Sequence, residues 1–547
     1  MYKYTPLVLG ALFSSFALAN TTLITNVKGY TVNKGELTTF NAIQFSNDTV
    51  DAIYQEQPEN IGENVTVIDG NGQSILPGLI DAHGHVLGYG LGLQRVDLVG
   101  TQTEQDAVSR IVAYAKTNKE SRWISGRGWN QVLWPSKTFP TAISLDKYFP
   151  ERPVIMGRVD GHAIWVNSKA MEIAGITKDT VSPSGGEIIR DKAGNPTGVF
   201  IDNAMELIRN AIAPLTTAEK KQALIDAMNS LASYGLTSVH DAGITVENDS
   251  LYRTLADEQQ MAIRINGMLS VEDKTWQEVL NKGPYATPDG FYKIDSVKIS
   301  SDGALGSRGA AMIDDYSDHK GHKGLLLYKP DELAKLIKTS MKAGFQVNTH
   351  AIGDKANNLV LDQYEVFINE TGSKNKRHRI EHAQILTLSD IKRFKPLGVI
   401  PSMQATHATS DKNMAEDRIG KERLAGAYAW RKLLSEGNII ANGSDFPVES
   451  PNPFYGLHAA ITRQDHNNQP LDGWLSTEKM TPVEALASFT IDAAYAGHQD
   501  VIIGSLEAGK KADFILLDND MFTQVPQSIW KNTVNETWVN GKQVYKK

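Results

Sequence analysis

The stretch PDELAKLIKTSMKAGFQVNTH, residues 330–350, reads as one repeating unit of a barrel. Pro330 and Asp331 start a helix, Leu333, Leu336, Ile337 and Met341 recur at helical spacing and share one face, and Gly344 stops the run. Residues 345–349 then read as a short strand that delivers His350 at its carboxyl end. The unit recurs. Thr216-Thr217-Ala218-Glu219 has the capping-box form, a helix follows through Leu224, Ile225, Met228, Leu231 and Ala232, Gly235 ends it, and residues 236–240 read as a buried strand closing on His240. Residues 386–394 lead through Gly398 to Val399-Ile400-Pro401, and residues 430–436 lead through Gly437 to a strand at 438–441 and then Asp445.

Helices alternating with short buried strands imply a parallel sheet covered on both faces. The predicted fold is α/β, a (β/α)8 TIM-type barrel, in which catalytic residues sit at the carboxyl ends of different strands. An open doubly wound sheet fits less well, because no G-x-G-x-x-G follows a strand to anchor a dinucleotide. The first barrel strand is read in ILPGLIDAHGHV, residues 75–86. His83 and His85 are two apart, so on an extended strand their imidazoles point to one side and can converge on one metal ion. A catalytic metal usually takes three protein ligands and keeps a position open for water. Further donors are supplied by NTHAIGD (348–354), RIEHA (379–383) and NGSDFP (442–447), which place His350, His382 and Asp445 at strand ends. His240 is read as closing the third strand, where it either contacts substrate or bonds within the barrel.

The two ends of the chain read differently. Residues 22–25, 41–45 and 65–69 are short β-rich pieces, and so are 512–517 and 536–542. A strand needs a partner and a covered face, so both ends are expected to pack as one small β-sandwich. The expected organisation is a signal peptide over 1–19, the amino-terminal half of the sandwich over 20–75, the barrel over 76–498 with an insertion at about 100–215, and the carboxyl-terminal half of the sandwich over 499–547. Within the insertion, residues 185–195 read as a hairpin around a Gly/Asn turn. Trp123, Trp129, Trp134 and Trp165 gather there and either line an apolar pocket or form core.

With 547 residues, a formal net charge of -8 and a pI of about 5.9, the chain lacks the basic footprint of a nucleic-acid binder. Met1-Tyr2-Lys3, an apolar stretch and Ala17-Leu18-Ala19 read as a secretory leader, so an exported, periplasmic or extracellular protein is expected, with no membrane span after cleavage. The chain has no cysteine, which excludes disulfides, thiolate nucleophiles and sulfur-ligated metal sites. Any metal must be held by nitrogen and oxygen, a donor set suited to zinc and, with carboxylates, manganese or iron. The segment GSLEAGKK (504–511) imitates a phosphate loop, but Lys511 stands where Ser or Thr is required.

The residues so far, with PVIMGRVDGHAIWVNSKAM (153–171), VKISSDGALGSRGAAM (297–312) and GSLEAGKKADFILLD (504–518), resemble the metal-dependent amidohydrolase superfamily. Within it the chain is similar to the amidohydrolase family 3 branch, which includes N-substituted formamide deformylases. The resemblance spans essentially the whole mature chain. It implies a divalent metal, zinc first, as one ion or two. His83 and His85 become ligands from the first strand, His350 and His382 ligands from the fifth and sixth, and Asp445 a ligand after the eighth that also handles protons. In members with two ions a carboxylated lysine at the end of the fourth strand bridges them, and Lys298 occupies that place. The plain alternative for Lys298 is a side chain that snorkels to solvent. His162, in Asp160-Gly161-His162-Ala163, either polarises a substrate carbonyl or is structural. His407 follows the seventh strand as a weaker candidate, and His319, His322, His378, His466 and His498 read as surface residues. The implied reaction is hydrolysis of a carbon–nitrogen bond in a small-molecule, non-peptide amide by metal-activated hydroxide, with Asp445 as proton shuttle. The alternatives are hydrolysis of cyclic amides, esters or phosphoesters, or a non-catalytic exported metal- or solute-binding protein. A homo-oligomer is compatible with the sequence.

Overall fold

A computed structural model describes residues 21–547 except Asn60, Glu63, Glu120 and Asp160, so the expected signal peptide lies outside the described residues. The chain forms two compact units. One takes the chain through Gly84 together with Leu231–Asp249 and Ala262–Lys547, and the other takes His85–Ser230 and Ser250–Met261.

The first unit holds the barrel. Its strands are β1 (Leu79–Gly84), β2 (Leu236–Ile244), β3 (Arg264–Ser270), β4 (Tyr292–Ser300), β5 (Gln346–Ala351), β6 (Arg379–His382), β7 (Ile400–Gln404) and β8 (Ala441–Gly443). Neighbours pair in parallel in chain order from β1 to β8. Across the β8–β1 seam, Asp445 N donates to His83 O at 2.7 Å. Every residue of β1, β6 and β7 is buried, as expected of strands covered on both faces.

Helix Pro330–Lys342 begins at the proline read as its start, with Leu333, Ile337 and Met341 buried, and Gly344 takes a left-handed φ of 82° after it. The capping box before helix Thr217–Ser233 is formed: Glu219 N donates to Thr216 Oγ1 and Thr216 N to Glu219 Oε2.

In the same unit, two sheets contain both ends of the chain. One is ordered Thr49–Tyr54, Ala42–Ser46, Thr21–Thr25, Val65–Asp69. The other is ordered Lys542–Lys546, Val534–Val539, Phe514–Leu517, Ser74–Pro77, Lys28–Asn33, Glu36–Phe40. Ile24, Ile43, Phe45, Ile75, Phe514 and Leu516 share one buried apolar core, so the sandwich is built from both termini.

The second unit contains a six-stranded sheet that runs from Val96–Asp97 to the hairpin Gly186–Arg190 and Pro196–Asp202, and none of its strands enters the barrel. This corrects one reading and settles another. The strand carrying His240 is the second of the barrel, not the third, and it continues to Ile244, so His240 lies in mid-strand. Trp129, Trp134 and Trp165 form core: they are fully buried in one apolar cluster of this unit, and Trp123 packs, partly buried, against a second. The indole N–H groups of the first three are satisfied by Met156 O, Thr101 O and Thr141 O. Three large aromatic surfaces supply the core a small inserted unit needs.

Candidate metal centre

His83 is the penultimate residue of β1 and has no exposed surface. Its Nδ1 lies 2.6 Å from Oε2 of Glu381 on β6. Glu381 is held in turn by Arg379, two residues earlier on the same strand, whose Nε donates to Oε1 at 2.8 Å and Nη2 to Oε2 at 2.9 Å. Arg379 also donates to Ala82 O, to Ser402 Oγ and, through Nη1, to His240 Nδ1. One buried guanidinium thus ties β1, β2, β6 and β7 together. Burial alone would raise the Glu381 carboxyl, but Arg379 and the His83 hydrogen bond outweigh it and hold Glu381 far below the usual carboxylate range.

A carboxylate only accepts, so the proton of neutral His83 sits on Nδ1 and the lone pair of Nε2 faces inward. His382, at the end of β6, has its Nδ1 2.7 Å from the amide oxygen Oε1 of Gln404, which fixes the same tautomer. A ring nitrogen anchored on an acceptor is how metal-binding histidines are oriented. The rings converge, with centroids 4.7 Å apart for His83 and His382 and 4.5 Å apart for His350 and His382. Burial lowers the His83 pKa to about 4 and that of His350 to about 3, with the Lys298 ammonium adding to both, so the imidazoles are neutral at pH 7. Asp302 fixes the backbone after His350 by accepting the N–H groups of Ile352, Gly353 and Ala311, and its Oδ1 lies 3.5 Å from His350 Nε2 without a hydrogen bond.

Asp445, just past β8, and His382, at the end of β6, both have left-handed φ, 61° and 74°. Such backbone costs about 1–3 kcal/mol per residue and collects at functional sites. Asp445 Oδ1 is 3.6 Å from His83 Nε2, and Oδ2 is 3.6 Å from His407 Nε2. Two donors bound to one tetrahedral zinc at 2.0–2.1 Å stand about 3.4 Å apart, so the gap between His83 and Asp445 suits a shared cation, and both gaps are too long for hydrogen bonds. Ligand atoms of His382, His407 and Asp445 all lie within 4.8 Å of one another. His83 and His382, each with a bare Nε2, and the Asp445 carboxylate offer donors that fit a divalent ion.

Lys298 on β4 is buried, 8 % exposed, so it does not snorkel to solvent. Burial pushes its pKa down while the Glu381 and Asp445 carboxylates push it up, which places it facing the same interior. His85 immediately follows β1 and is the N-cap residue of helix Val86–Leu93, which opens the second unit. His162 belongs to that unit, is mostly exposed, and has Nδ1 2.8 Å from Asp202 Oδ1. His240 bonds within the barrel. His378 is not a surface residue: it is fully buried, its Nδ1 accepts from Val347 N and its Nε2 meets Ser373 Oγ, so it serves the backbone of β5. Sequence reasoning passed over Arg379, Glu381, Gln384, Gln404 and Asp302. The available signal was polar residues at alternate positions of strands that are otherwise buried, 379 and 381 on β6 above all.

A family model described as "Amidohydrolase family" matches residues 66–545. The chain is 33% identical over 504 residues to "Protein LONG AFTER FAR-RED 3" of Arabidopsis thaliana, covering 89% of this chain and 84% of that one. It is 26% identical over 496 residues to an N-substituted formamide deformylase of Arthrobacter pascens, covering 88% and 90% respectively. Among solved structures it is similar to an uncharacterized metal-dependent hydrolase from Pyrococcus furiosus, with TM-score 0.72 and 26% identity, covering 91% of this chain and 99% of that chain.

Proposed function

Because this chain belongs to the amidohydrolase family, we propose that it hydrolyses the carbon–nitrogen bond of a small non-peptide amide, with N-substituted formamides as the first class of substrate. The observation that carries this reading is the pairing of His83 Nε2, stripped of its proton by the Glu381–Arg379 pair, with the Asp445 carboxylate 3.6 Å away. A storage site needs ligands, but not a carboxylate on a separate strand that also faces a histidine on its other oxygen. The formamide class is taken from the relative that carries that activity in its name.

His83, His85, Lys298, His350, His382 and Asp445 hold the metal in this proposal, zinc first, with Lys298 carboxylated if two ions bind. Carboxylation would replace a buried ammonium, costly in that interior, with two oxygen donors. When bound, the cation supplies a hydroxide nucleophile at neutral pH and polarises a carbonyl. Asp445 takes up the proton released from water and returns it to the departing nitrogen as the carbon–nitrogen bond breaks. The tautomers of His83 and His382 are held through the cycle by Glu381 and Gln404. Export, with residues 1–19 removed, completes the proposal.

The test is metal analysis of the purified protein with release of amine from a panel of N-formyl amines, hydantoins, lactones and phosphotriesters, before and after chelation. Metal-dependent release from N-formyl amines is expected, and Asp445→Asn should lower kcat by about 10²–10⁴-fold with little change in KM. Turnover by that variant within a few-fold of wild type, or turnover of lactones alone, would defeat the reading.

A further inference from the structure

His407 lies on helix Ala405–Asp411 just past β7 and is 8 % exposed. Its position beside His382 and Asp445 suits a third metal ligand, but its hydrogen bonding points elsewhere. Nδ1 of His407 faces the amide nitrogen of Gln384 at 3.1 Å, and an amide N–H only donates. In the neutral ring the proton therefore sits on Nε2. This is the reverse of His83 and His382, whose Nδ1 atoms face oxygens and leave Nε2 bare. Among the described residues Nε2 of His407 has no hydrogen-bond partner, and Asp445 Oδ2 stands beyond reach at 3.6 Å. A buried N–H without an acceptor is costly, and here it is aimed at the place where Asp445 would work.

We propose that His407 is a catalytic residue that contacts substrate: its Nε2–H binds the oxygen of the scissile carbonyl, and Gln384 is the positioning residue that holds the required tautomer. The proton stays on Nε2 throughout, and the hydrogen bond strengthens as the carbonyl oxygen gains negative charge on attack. A donor at this point selects amides, whose carbon bears an oxygen acceptor, over amidines and guanidines, whose N–H groups would oppose it. The proposal rests on the amide reading above and names its specificity.

The experiment uses the full chain loaded with zinc, in three measurements. Zinc equivalents per chain are counted for wild type, His407→Ala and His407→Gln, and all three are expected to match. Long-range ¹H–¹⁵N spectra of histidine-labelled protein, assigned by loss of the signal in His407→Gln, are expected to show His407 protonated on Nε2. Calorimetric binding of acetohydroxamate, which needs no turnover, is expected to weaken about tenfold or more in His407→Ala. His407→Gln, whose amide N–H reaches near the same point, should recover part of the loss. Gln384→Glu, which presents an acceptor to Nδ1 and reverses the tautomer, should reproduce it. Loss of a zinc equivalent in His407→Ala, a proton on Nδ1, or acetohydroxamate binding unchanged in His407→Ala would each overturn the proposal. If no amide is turned over while zinc content is unchanged, the proton is on Nε2 and acetohydroxamate binding weakens in His407→Ala, the substrate reading fails and the donor role of His407 stands.

Discussion

Glu381 has no exposed surface and stands between the guanidinium of Arg379 and the ring of His83. Its charge matters less than its inability to donate. Replacing it with glutamine keeps the shape but gives one of its two heteroatoms hydrogens. Arg379 donates to both carboxylate oxygens, so wherever the new N–H2 group settles it opposes a guanidinium N–H, and the two-pronged clamp that orients the acceptor of His83 Nδ1 is broken. Glu381→Gln is therefore expected to weaken zinc binding by about 10–100-fold, read by competition with a chromogenic chelator. Unchanged affinity would show that the pair does not orient His83. His83, His85, His350, His382 and Asp445 are legible in the sequence as candidate ligands because each falls at or just past a strand end. Glu381 was visible only as a neighbour of His382. Its partner on β1 is 298 residues away, and facing across a barrel depends on register that local pattern does not carry.

Helices and strands of the repeating unit were legible wherever apolar period and a glycine stop agreed, as at Pro330–Lys342 and Gly344. They were less so where long polar side chains fill the strand. The run at 236–240 continues through Asp241 to Ile244 because β2 pairs with β3 along that length, a tertiary fact. Helix Ile491–Ala496 shows a different conflict. Asp492 suits the first turn by charge, yet it lines a cavity with Ile400, Ile439 and Tyr495, near the amino ends of β7 and β8. Burial alone raises its pKa from 3.8 to about 7. The folded protein thus keeps a proton that the unfolded chain loses above about pH 4, and stability falls as pH rises from there to about 7, then levels. Asp492→Asn should leave the thermal midpoint unchanged at pH 4 and raise it at pH 8, with a ceiling of roughly 4 kcal/mol. Equal shifts at both pH values would mean that the carboxyl is solvated in the fold.

At the scale of the molecule, the far end of the chain holds the strand that leads to the metal centre. Phe514–Leu517 pairs antiparallel with Ser74–Pro77, Gly78 N donates to Asp513 O at 2.8 Å, and the next residue opens β1 with His83 four residues on. Neither terminal segment read alone specifies this pairing, since each is only a set of short strands in need of partners. The inserted unit hid the strand count for the same reason: its own sheet resembles barrel strands in sequence and differs only in what it pairs with. The join also contains a buried charge pair. Arg264, at the start of β3, bonds Asp513 and Asn540, with the Arg264 and Asp513 side chains each 3% exposed. Asp513 further accepts the backbone N–H of Asn540 at 2.8 Å. Removing the acid leaves a buried guanidinium without its counter-charge, with the Asn540 amide and the face of Phe291 beside it, a change that costs about 3–5 kcal/mol. Asp513→Ala should therefore lower the urea midpoint far more than Asp445→Asn, although Asp445 is the residue assigned to the chemistry. The variant should still bind zinc when folded, because no ligand has been touched. If Asp513→Ala unfolds at the wild-type urea concentration, the terminal sheet is a passenger on the barrel, and the path from the carboxyl terminus through Ser74–Pro77 to His83 bears no load.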